Sequence, residues 1–388
     1  MANLRTGVLA LENGAVFRGL PFGHKTTVTG EAVFNTGMTG YQELLTDPSS
    51  SGHILTMTTP EIGNYGVNPD DEESASPKIT GLIVRELSPV ASNWRSQQSL
   101  EDYLTEHKVP GLQEIDTRSV TKILRDHGAM KACISTEDIS DEEAVERARS
   151  GSQLSEIDYV SQVTCSESYR WDPSGEESRP FSVVGTNLKR LPTVDTRFEI
   201  VAFDFGARRS LFRNLRNSGF DITVVPANAS FEQVKELNPD GIFLSNGPGD
   251  PAVIQDIHKT VAKLLEEFPV LGVSLGHQVI AHALGAESFK LKFGHRGTNI
   301  PVRNLETDLV SITTQNHGFA VDPKSLEKAG AMVTEINLND ETVEGLRHKT
   351  LPVFGVQYHP TTTPGPQETD PVFIAFHKLI ERRKAGKI

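Results

Sequence analysis

The chain has 388 residues and a formal net charge of −13 at pH 7. That length accommodates two or three domains, and the acidic balance argues against nucleic acid as the main partner. No stretch approaches the roughly 18 apolar residues of a membrane span. Met1 to Thr6 lacks the apolar core of a signal peptide. The two cysteines, Cys133 and Cys165, stand at no metal-ligand spacing, which fits packed thiols in a reducing cytoplasm rather than a disulfide framework.

The first half reads as strand-rich with a few helices. Val8 to Leu11 and Ala15 to Phe17 flank Asn13-Gly14, a hairpin signal. Ala32 to Phe34, Ile54 to Met57, Ile79 to Val84 and Ala132 to Ile134 read as further strands. Asp116 is placed to cap a helix over Thr117 to His127, buried through Val120, Ile123 and Leu124 and stopped by Gly128. A second helix over Asp141 to Arg149 starts acidic and ends basic, as the helix dipole favours. The expected division is a first domain over 1–165, a polar linker over 166–197 and a second domain over 198–388.

The second half alternates strands with helices, which predicts an α/β domain with a mostly parallel sheet flanked by helices. Strands are expected at Glu199 to Phe203, Asp221 to Val225, Gly241 to Leu244 and Val270 to Val273. Further strands are expected at Ser311 to Thr313, Val333 to Ile336, Thr342 to Leu346 and Val353 to Gln357. Helices are expected at Arg208 to Ser218, Phe231 to Leu237, Ile254 to Phe268, His277 to Leu284 and Val372 to Arg383. In such sheets ligands sit beyond the C-terminal strand ends. Ser274 and the loop around Asn246 both fall there.

Gly272-Val-Ser-Leu-Gly276 joins a strand to a helix through one residue. Taken literally it is the G-x-S-x-G elbow of serine hydrolases, in which a strained corner presents the nucleophile. The free N–H groups at the start of the following helix suit an oxyanion. A working serine hydrolase would need an acid between Ser274 and His359, for which Glu306, Asp308 and Glu344 are the candidates.

The wider segment Gly272-Val-Ser-Leu-Gly-His-Gln278 resembles the elbow of class I glutamine amidotransferases. So do Ala202-Phe-Asp-Phe-Gly206, Phe243-Leu-Ser-Asn-Gly-Pro-Gly-Asp-Pro251, Lys292-Phe-Gly-His295, Thr314-Gln-Asn-His-Gly-Phe-Ala320 and Gln357-Tyr-His-Pro360. Phe34-Asn-Thr-Gly-Met-Thr-Gly-Tyr-Gln-Glu43, Thr46-Asp-Pro-Ser49, Ile62-Gly-Asn64 and Asp116-Thr-Arg118 narrow the resemblance to the small-subunit family of carbamoyl-phosphate synthase, an N-terminal mixed α/β small-subunit domain followed by the amidotransferase domain. The resemblance implies that glutamine is hydrolysed here and that ammonia passes through a tunnel to a large subunit. That partner would make carbamoyl phosphate for pyrimidine and arginine synthesis and would hold the ATP and Mg sites, leaving this chain without a cofactor or metal of its own.

The resemblance also assigns residues. Ser274 takes the position of the family's nucleophilic cysteine, His359 that of the catalytic histidine, and Thr361 that of the acid, a glutamate in the family. Ser49, Gly247, Gly249, Leu275, Gln278, Asn316, Gly318 and Phe319 are the expected glutamine-binding residues, with the Gly249 N–H available to an oxyanion. His277, His295 and His317 are motif neighbours expected to serve packing or loop hydrogen bonding.

Two of three triad positions therefore depart from the family pattern. A serine hydroxyl needs an aligned base throughout the attack, and threonine supplies no charge to an imidazolium. The expectation is an impaired or lost glutaminase, with free ammonia as the donor. A slow glutaminase and a purely structural or regulatory subunit stay open as alternatives.

Overall fold

A computed structural model of the chain describes residues 6–152, 156–178, 197–361 and 371–387. It divides into two compact units, one of Met1–Tyr159 with Lys290–Asn299 and one of Val160–Phe289 with Ile300–Ile388.

The first unit is built on a closed barrel. Its strands run in the order Gly7–Leu11, Val16–Gly23, Pro110–Gln113, Gly81–Ile83, His53–Met57, Thr27–Asn35 and Met130–Ser135 before closing on the first. The first two form the expected antiparallel hairpin, with Gly14 at φ 94° in its turn. The helix Thr117–His127 is capped as expected: Ser119 N–H donates to Asp116 Oδ1 at 2.9 Å, and Gly128 terminates it at φ 100°. Val120 and Leu124 bury its apolar face against Leu9, Leu11 and Ile134. Lys290–Asn299 joins this unit through Phe34 and Phe293, whose rings lie 5.6 Å apart, and through the bond from Ala129 N–H to Lys292 O at 2.8 Å.

The second unit centres on a ten-stranded sheet. Phe220–Pro226, Phe198–Asp204, Gly241–Leu244, Val270–Val273 and Val353–Val356 lie side by side, and every pairing among them is parallel. Beyond Val353–Val356 the sheet turns antiparallel through Val343–His348 and Ala331–Asn337. Both faces of the central strands Gly241–Leu244 and Val270–Val273 are buried, and these strands are wholly apolar rather than alternating with polar residues. Successive side chains point to opposite faces. Val201 and Phe203 join one core with Ile242 and Leu244, while Ile200 and Ala202 join the other with Phe243, Leu271 and Val273. Tyr169–Trp171, in the stretch expected as a linker, forms an edge strand antiparallel to Phe220–Pro226. The rest of that stretch falls partly outside the described residues.

Candidate functional site

Ser274 is the single residue between the strand Val270–Val273 and the helix Leu275–Ala283. Its backbone stands at φ 53°, ψ −108°, a region that L-residues with side chains rarely occupy. Hydrogen bonds hold it there. Ser274 N–H donates to Val356 O at 2.8 Å, Gly276 N–H to Ser245 O at 3.0 Å, and Gln278 N–H to Ser274 O at 3.1 Å.

The flanking glycines are required by close approach. A Cβ on Gly272 would stand 2.5 Å from Gly276 O, and one on Gly247 would stand 2.3 Å from Phe205 O. The side chain of Leu275 also closes on Gly247, within 2.8 Å of that Cβ position. The Asn246 loop therefore lies directly on the start of the elbow helix. Gly249 takes φ 93° in the same loop.

His359 follows the strand Val353–Val356, which pairs with Val270–Val273 in parallel. The residue after Val273 and the segment after Val356 thus leave the same end of the sheet. His359 is fully buried, with its N–H donated to Thr314 O at 2.9 Å. Thr361 is buried too, and its N–H returns to His359 O at 2.8 Å. The group on His359 Nδ1 is Arg208, whose Nη1 lies 2.9 Å away.

Arg208 is itself fully buried. Its backbone is fixed by the loop that follows Phe198–Asp204. Asp204 Oδ1 accepts from Gly206 N–H at 3.0 Å and Ala207 N–H at 2.8 Å. Asn246 Oδ1 accepts from Arg208 N–H at 3.1 Å. Arg208 then caps the helix Arg209–Asn217 without a side-chain bond to it, leaving its guanidinium to reach across the sheet end. Sequence reasoning missed this residue. An Arg-Arg pair opening an amphipathic helix reads as a solvated end, and the available signal was its place directly after the Ala202-to-Gly206 block.

Among the expected glutamine-binding residues, Gln278 donates through Nε2 to Phe319 O at 2.8 Å and to Gln357 Oε1 at 3.0 Å. That ties the elbow helix to Phe319 and to the strand leading to His359. Asn316, Gly318 and Phe319 share the strand Val310–Val321. Ser49 belongs to the first unit, in the turn Pro48–Ser50, where its N–H donates to Asp47 Oδ1 at 2.9 Å.

His277 is buried against the sheet, and desolvation pushes its pKa down to about 4, which suits packing. His317 bonds Phe319 O at 2.8 Å and Gln315 Oε1 at 2.9 Å within its own strand. His295 lies in the Lys290–Asn299 segment of the first unit. Burial raises both thiols, Cys133 and Cys165, to about 11. Of the acids considered for a serine hydrolase, Glu306 takes Arg347 Nη2 at 2.6 Å. Asp308 occupies an exposed position at φ 57°. Glu344 is buried and accepts from Asn337 Nδ2 at 2.8 Å.

Comparison with known proteins shows the family of the chain. Residues 9–134 match the family described as carbamoyl-phosphate synthase small chain, CPSase domain, and residues 201–379 match glutamine amidotransferase class-I. The carbamoyl phosphate synthase small chain of Akkermansia muciniphila is 52% identical over 97% of this chain and 98% of its own. The chain belongs to the carbamoyl-phosphate synthase small-chain family. The small chain of Syntrophotalea carbinolica is 48% identical over 98% of this chain and 99% of its own. The chloroplastic small chain of Oryza sativa subsp. japonica is 43% identical over 98% of this chain and 82% of its own. Within this family the parallel sheet and its elbow form the amidotransferase domain, and the barrel belongs to the small-chain domain. Among the described residues no helix is long and apolar enough to cross a membrane.

Proposed function

We propose that the chain is the small subunit of a carbamoyl-phosphate synthase that keeps the frame of a glutamine site and has lost most or all of its glutaminase activity. It works with a large subunit that carries ATP and Mg and makes carbamoyl phosphate for pyrimidine and arginine biosynthesis. The observation that carries this reading is Ser274 itself. A serine occupies the strained corner at φ 53°, where amidotransferase chemistry calls for a thiolate. The acid position after His359 is Thr361, which brings no negative charge.

The chemistry at stake is attack on the glutamine amide carbon, proton transfer to a histidine, and return of that proton to departing ammonia. A thiol is partly ionised near neutral pH, whereas a serine hydroxyl depends wholly on its base. Gly247, Gly249, Leu275, Gln278, Asn316, Gly318 and Phe319 would hold glutamine without cleaving it efficiently. The tight loop contacts at Gly247 and the Gln278 bonds support a preserved binding frame. Carbamoyl phosphate formation by the complex with its large subunit tests this. Ammonium is expected to support synthesis and glutamine to support little or none. Equal rates from both donors would overturn the proposal.

A further inference from the structure

We propose that Arg208 is a positioning residue that locks His359 in the tautomer unable to act as a base. The proposal rests on the reading of His359 as the base position. The argument begins with the donor inventory of the two groups. A guanidinium has five N–H donors and no acceptor. At 2.9 Å between Arg208 Nη1 and His359 Nδ1, the imidazole nitrogen must therefore supply the lone pair. The proton of the neutral ring then sits on Nε2. A doubly protonated ring would set its own N–H against the guanidinium N–H, so this contact opposes that form as well.

Nε2 is the ring nitrogen that Arg208 does not engage, and in the triad reading it is the one that would serve the Ser274 hydroxyl. A general base needs a lone pair there and a proton on Nδ1 held by an acceptor. Arg208 imposes the reverse arrangement. In serine proteases the wrong tautomer alone costs about 10⁴ in turnover. The lock is built rather than incidental. Both side chains are fully buried; Asn246 Oδ1 accepts from the Arg208 N–H, and Asp204 Oδ1 accepts from the N–H of the preceding Ala207. The same Asn246 loop packs on the elbow helix through Gly247 and Leu275. Restoring a cysteine and a glutamate would therefore leave a third obstacle in place.

The test is nitrogen NMR of the full chain labelled with 15N-histidine, with the His359 resonances assigned from a His359→Asn variant. Wild type is expected to show His359 with an unprotonated Nδ1 and a protonated Nε2. Arg208→Lys keeps a donor-only cation and should keep this tautomer, while Arg208→Met should release it toward Nδ1–H. A wild-type ring protonated at Nδ1 would overturn the proposal, as would an Nε2–H ring unchanged in a folded Arg208→Met chain. The wild-type spectrum decides even if Arg208→Met fails to fold. In the complex, Ser274→Cys/Thr361→Glu is expected to gain at least tenfold more glutamine turnover when Arg208→Met is added, and no gain counts against the lock. Glutamine turnover by wild type would overturn the silent-site reading separately, because the spectrum reports the tautomer whatever the activity.

Discussion

Gly276 sits directly on Leu244: a Cβ at Gly276 would stand 2.1 Å from the Leu244 carbonyl oxygen. Neither side can yield easily. Leu244 ends a central strand, and the Gly276 N–H is bonded to Ser245 O. Gly276→Ala is therefore expected to destabilise the fold by about 2 kcal/mol or more, as overpacking of a dense interior does. Urea unfolding monitored by circular dichroism checks this. A midpoint matching wild type would mean that the elbow tolerates a shift absent from this geometry.

Ser274 predicts the opposite sign. Its φ of 53° is a conformation that costs a side-chain-bearing residue roughly 1–3 kcal/mol. Ser274→Gly relieves that strain but makes the unfolded chain more flexible, an effect of about 0.4–1 kcal/mol. The expected net result is stabilisation by about 1 kcal/mol, read as a higher melting temperature. Retained strain at a functional corner is common in catalysts.

A fluorophosphonate probe should leave Ser274 unlabelled over hours at neutral pH. In the proposed reading, labelling requires the hydroxyl to lose its proton to His359, and the Arg208 contact with His359 Nδ1 opposes that transfer. Intact-mass measurement of wild type beside Ser274→Ala gives the answer. A Ser274-dependent adduct would favour a working serine hydrolase.

Three histidines predict acid sensitivity of the second unit. Desolvation pushes His258 and His277 down to about 4, and His282, stacked on His258 at 4.8 Å, is lowered as well. The fold keeps these rings neutral while the unfolded chain protonates them near pH 6.5. Their contribution is therefore full above about pH 6.5 and is lost as the pH falls toward about 4. Urea midpoints at pH 7 and pH 5 should differ by less in His258→Gln than in wild type. An equal difference in both would remove His258 from the explanation.

Much of this fold was legible in the sequence because its signals are local. The Asn13-Gly14 hairpin, the Asp116 cap and the strand–Ser274–helix corner each rest on a few adjacent residues. The closed barrel was not legible. Pro110–Gln113 is short and carries both a proline and a glycine, and barrel closure depends on pairings far apart in sequence. The strand Ser288–Asn304 was hidden by its polar, glycine-interrupted pattern. Tyr169–Trp171 was hidden within a polar stretch and is ordered by its neighbour Phe220–Pro226. The candidate site shows the same division. Ser274 and His359 announce themselves by motif, whereas Arg208 acquires its place only when two separate loops meet.

The most direct test of the account is ammonia release from glutamine by the purified chain with its large subunit, comparing wild type with Ser274→Ala. The expected result is no turnover from either, while the complex makes carbamoyl phosphate from ammonium. Turnover in wild type that vanishes in Ser274→Ala would contradict the account and make Ser274 a working nucleophile.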